Sequence, residues 1–165
     1  MRLLPLITSL LLSACAGDGD GTDSGAAVDP CEASSSPTLD IGLGYIGYEA
    51  IDEGDAFPLI HGPQGGFHLE IGLFATGIAA DDLVSGEMHG YVDGVELASA
   101  FPRLDLRCVT SGRESYGTLL VYDAQPEELD QKETRITVSV TGSDGTVVET
   151  EGTYLIDDTQ GIAPF

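Results

Sequence analysis

Two runs of strict alternation constrain this chain more than any other feature. Phe67, Leu69, Ile71 and Leu73 are separated by His68, Glu70 and Gly72, and Ile136, Val138 and Val140 by Thr137 and Ser139. Side chains two apart share one face of an extended strand, so each run offers one apolar face to a core and one polar face to solvent. A helix would need apolar residues at steps of three and four, and no ten-residue stretch keeps such a stripe. Further strands are predicted over 39–48, 85–92, 95–100, 103–110, 117–123 and 147–156. Asp93-Gly94 and Gly142-Ser143-Asp144-Gly145 have the composition of hairpin turns. Only 124–132, around Pro126, suits a single helical turn. About seven or eight short strands predict an all-β fold, an antiparallel β-sandwich of immunoglobulin-like type, with a small β-barrel as the alternative. The chain has no Trp, so the Cys–Trp–Cys core of antibody domains is missing.

The N-terminus has a different character. Met1-Arg2 is followed by ten mostly apolar residues, Leu3 to Leu12, the layout of a secretory signal peptide and too short to span a bilayer. Leu12-Ser13-Ala14-Cys15 resembles the lipobox of bacterial lipoproteins. The resemblance implies that 1–14 is removed as a signal peptide, that Cys15 carries diacylglyceryl on its thiol, and that the new amino terminus is acylated. Several acyl chains hold a protein at a membrane where one does not, so the lipid bilayer is an expected partner through Cys15. Residue 16 is Ala rather than the Asp that retains enteric lipoproteins at the inner membrane. The implied address is therefore the cell envelope, with the outer membrane favoured.

Residues 15–30 form the next segment: the lipidated Cys followed by AGDGDGTDSGAAVDP. It has almost nothing to bury and is expected to be a disordered linker. Asp18-Gly-Asp20-Gly-Thr22-Asp23 has Asp where a calcium loop needs its sixth-position Gly. The single sandwich domain is then 31–165. With Cys15 lipidated, Cys31 and Cys108 remain as an even pair in an exported chain, which reads as a disulfide. Closing a loop of that length contributes roughly 4.5 kcal/mol in the chain-entropy account. The alternative is two free thiols.

Lys and Arg number 6 against 28 Asp and Glu, for a formal charge of -22. Such a field repels phosphate backbones and anionic head groups, so nucleic acid is excluded as a partner. Gly62-Pro63-Gln64-Gly65-Gly66, followed by Phe67-His68, resembles a turn before an aromatic-His strand in Gram-negative lipoproteins of no assigned activity. Gln64, Gly65 and Gly66 are a candidate ligand loop; the alternative is a shaped turn feeding a core strand. His68 and Glu70 share one strand face, as do Glu87 and His89, and pairing of the two strands would assemble four ligands for zinc or copper. The alternative is four ordinary solvent-facing strand residues. Apart from such a divalent metal no cofactor is implied, and the acidic clusters match no calcium motif. Nucleophile elbow, phosphate loop, zinc-protease and dinucleotide signatures are absent. The expectation is a non-enzymatic binding or envelope-structural module whose partner is a protein or another envelope component. An exported lipoprotein that binds zinc, copper or calcium and an enzyme without a recognisable motif are the alternatives.

Overall fold

The computed structural model describes residues 29–63 and 65–158. Twelve strands and one helical turn follow in chain order: β1 (Thr38–Leu43), β2 (Glu49–Ala50), β3 (Ala56–Pro58), β4 (Ile60–His61), β5 (Phe67–Thr76), β6 (Val84–Val92), β7 (Val95–Ala100), β8 (Arg103–Leu104), β9 (Arg107–Val109), β10 (Gly112–Tyr122), α1 (Pro126–Leu129), β11 (Glu133–Thr141) and β12 (Val147–Asp157). The fold is all-β, and β1, β5, β6, β7, β10, β11 and β12 carry it. The remaining five strands have two or three residues each and pair at the margins.

The main path runs β2-β1-β5-β10-β7-β6-β11-β12-β3. Every joint is antiparallel except β12–β3. β1 and β12, near the two ends of the path, lie against each other, so the sheet folds over and its inner faces enclose one core. Leu39 and Ile41 of β1, Leu69, Ile71 and Leu73 of β5, Ile136, Val138 and Val140 of β11, and Ile156 of β12 belong to that core. The architecture is sandwich-like, with both layers drawn from one continuous ladder. The joint at which β10 meets β7 is a single pairing, Tyr122 opposite Ala98.

Local chemistry explains several strand ends. Asp93 (φ 50°) and Gly94 (φ 79°) both adopt positive φ, the requirement of a two-residue type I′ hairpin between β6 and β7. The expected strand 39–48 stops at Leu43, and the next residue, Gly44, packs against the Ile71 backbone, where a Cβ would lie 2.3 Å away. The expected strand 103–110 is broken: β8 pairs with β6 and β9 with β10, so the chain crosses between partners over 105–106. The expected 117–123 strand starts earlier, at Gly112, and carries a bulge between Ser115 and Thr118 with Gly117 at φ 74°.

The N-terminal edge is fixed by two devices. Cys31 and Cys108 stand at disulfide distance, with Cα atoms 5.7 Å apart. Arg113 donates from Nε and Nη2 to the Cys31 carbonyl (3.2 and 3.0 Å) and from Nη1 to the Leu106 carbonyl (3.1 Å). These tie residues 29–31, where the described chain begins, to β9 and β10.

Candidate functional site

The polar side of the alternating strands is the outer face of the sheet, and the register aligns its residues in rows. His68 is opposite Val121, His89 is opposite Ser99 and Thr137, and Thr137 is opposite Glu151. Tyr122 meets Ala98, and the same register continued by one step sets Val121 level with Ser99, where the two strands begin to part. One row therefore reads His68, Val121, Ser99, His89, Thr137, Glu151 across six strands. His68 and His89 share a row, yet β10 and β7 stand between their strands. At about 4.8 Å per strand the two are about 14 Å apart. The expected four-residue metal centre of His68, Glu70, Glu87 and His89 is thus not assembled: the sequence pattern placed each pair on one face correctly, but the two strands do not pair. Among the described residues the one cluster with donors close enough for a metal is Asp29, Cys31 and Cys108, whose two sulfurs are at disulfide distance.

Each His–Glu pair has its own chemistry. His68 Nε2 lies 3.9 Å from Glu70 Oε1, and both side chains are mostly covered. Burial lowers the His68 pKa and raises that of Glu70, since loss of water disfavours the charged form of each. Glu70 Oε2 is buried and accepts no hydrogen bond. His89 is the opposite case. Its Nε2 meets Glu87 Oε1 at 2.9 Å, and Nδ1 faces Glu96 Oε1 at 3.2 Å, an ion-pair approach off the hydrogen-bond direction. The hydrogen bond to Glu87 raises the His89 pKa, partial burial opposes it, and Glu96 adds to the rise. The Phe101 ring stands edge-on to the His89 ring at 6.0 Å.

The candidate loop is only partly described. Gln64 lies outside the described residues, while Gly65 and Gly66 are exposed. Gly62 N–H donates to the Gly66 carbonyl (2.8 Å), and Gly65 N–H, at φ 82°, donates to the Gly62 carbonyl (3.0 Å). The segment is a closed turn that delivers Phe67 into β5, with the Gly62 backbone beside the His68 ring. His61, the third histidine, pairs through Nε2 with Asp158 Oδ1 at 2.5 Å and meets the Phe67 ring edge-on. It does not join either of the other two. Cys15 lies outside the described residues, as do the signal segment 1–14 and the linker apart from Asp29 and Pro30.

A further site was not anticipated from the sequence. Below the Tyr122–Ala98 pairing, β10 continues with β9 while β7 passes through Phe101-Pro102 into β8, and the strands part. The opening is a cleft of about 450 Å³ lined by Phe101, Arg103, Arg107, Ser115, Tyr116 and Leu119 among others. Phe101 is 71% exposed and Leu119 45%, and Val121, two residues along the same face of β10, is 50% exposed. The sequence signal was the unalternating apolar run Leu119-Leu120-Val121-Tyr122, which puts apolar residues on both faces of one strand. Reading 103–110 as one unbroken strand hid the gap that gathers them.

The chain matches no protein-family model and no curated protein. Its class is set by the fold alone: an all-β, sandwich-like domain with an open outer face.

Proposed function

We propose that this is an exported lipoprotein of the cell envelope, anchored through acylated Cys15, whose sandwich domain is a non-enzymatic binding module for another envelope component. The observation that carries the binding reading is the grouping of Phe101, Leu119 and Val121 on the outer face beside an open cleft. Solvent-facing strand positions are ordinarily polar, and contiguous exposed apolar groups mark contact surfaces. The staple at Cys31 and the Arg113 clamp support a tethered design, because a pull on the N-terminal segment is borne by β9 and β10 rather than by a fraying end. A Cys31–Cys108 disulfide is part of the same reading, since it belongs to an oxidising compartment. Ala16 favours the outer membrane. Cell fractionation tests the proposal: the unaltered protein is expected in the membrane fraction, and Cys15→Ser in the soluble one. Equal retention of both would refute the anchor.

A further inference from the structure

The outer-face cleft gathers two of the few cations of this acidic chain. Five cations occur among the described residues, and three are committed elsewhere. Arg113 is spent on backbone carbonyls, Lys132 pairs with Asp93, and Arg135 pairs with Glu151 and covers the Tyr91 ring. The other two, Arg103 and Arg107, both line the cleft. Arg107 donates from Nε to Asp105 (2.8 Å) and from Nη1 to the Tyr116 hydroxyl (3.0 Å), with its guanidinium 5.4 Å from the centre of that ring. Arg103 donates from Nη2 to the Leu83 carbonyl (2.5 Å). Each guanidinium is oriented by these bonds and keeps further N–H donors unspent, since each carries five. Asp105 is the one carboxylate among these lining residues and pairs with Arg107 at 2.8 Å, while Glu114 stands opposite Arg107 in the β9–β10 ladder and Glu87 shares an adjoining hollow with Phe101 and Arg103.

From this geometry we infer that the cleft binds a single carboxylate joined to an apolar or aromatic group. The guanidinium fork of Arg103 or Arg107 matches a carboxylate in plane. Phe101 and Leu119, exposed at the cleft mouth, cover the apolar part. The volume lies within the range of small-ligand sites. A polyanion does not fit, because the two arginines stand among carboxylates in a chain of formal charge -22. The chemistry is shared by a free aromatic acid and by the C-terminus of a peptide ending in an aromatic residue. This assignment deepens the binding-module reading and rests on it.

The test is calorimetric titration of the purified full chain with N-acetyl-phenylalanine, with acetyl-Ala-Ala-Phe, and with the C-terminal amide of each. Both acids are expected to bind at least tenfold more tightly than their amides. Arg107→Gln and Arg103→Gln should each remove about tenfold of the acid affinity and leave the amides unchanged. Arg135→Gln, outside the cleft, should change nothing. Tighter binding of the tripeptide assigns the site to chain ends, and equal binding assigns it to free acids. Acids and amides binding alike, no binding of either, or an Arg135→Gln effect as large as that of Arg107→Gln overturns the inference. Membrane retention of the same protein is read independently, so failure of the cleft with retention intact leaves the tethered module standing.

Discussion

Tyr122 and Thr134 carry a polar contact in the middle of the core. Both are buried, and their hydroxyl oxygens are 2.7 Å apart. Gly90 makes the space: a Cβ there would lie 2.5 Å from the tyrosine oxygen. Burial pushes the Tyr122 pKa up to about 12 despite the opposing hydrogen bond. Removing one partner strands the other in an apolar setting, which costs about 1–3 kcal/mol, whereas removing both is close to neutral. Tyr122→Phe and Thr134→Val are each expected to lower unfolding free energy by that amount, and the double variant by less than their sum. Additive losses in urea denaturation would contradict the pairing. The two outer-face histidines give a second test. His68 should titrate below the ordinary 6.5 and His89 above it in NMR pH titrations, and Glu87→Gln should move His89 back toward that value. The stability consequences oppose each other. The His68 contribution is fully present above about pH 6.5 and lost as pH falls through its folded pKa. That of His89 is fully present below about pH 6.5 and lost as pH rises through its folded pKa. Glu87→Gln should therefore destabilise more at pH 5.5 than at pH 8.5, and equal losses at the two pH values would count against the His89–Glu87 bond.

At the scale of elements, the staple and the strand order matter most. Cys31 and Cys108 are 77 residues apart in sequence, so an unfolded chain freed of the link gains much conformational freedom. Replacing both by Ala is expected to lower stability by about 2–5 kcal/mol, read by urea unfolding under non-reducing conditions. An unchanged midpoint would show that no bond forms. Much of this was legible in the sequence. The alternation in β5 and β11, the Asp93-Gly94 hairpin and the cysteine pair each act locally or by simple count, and each is found where expected. Strand neighbours were not legible, because β5 and β6 are adjacent in sequence yet separated by β7 and β10 in the sheet. Alternation fixes which face a side chain takes, and long-range pairing fixes which side chains it meets. That difference dispersed the histidines and concealed the arginine cleft, whose walls come from β10 and the β7–β8 corner.

For the whole molecule, the formal charge of -22 repels anionic surfaces, so the charge itself works against contact with anionic lipid. No helix among the described residues is long and apolar enough to cross a membrane. In the proposed design, lipid on Cys15 supplies the adhesion that the protein surface opposes. The proposed design therefore depends on lipid at Cys15. Mass spectrometry of the purified mature N-terminus measures it directly. The predicted result is a chain beginning at Cys15 with a diacylglyceryl group on sulfur and an acyl chain on its amino group. A chain beginning at Met1, or at any other residue without lipid, would contradict it.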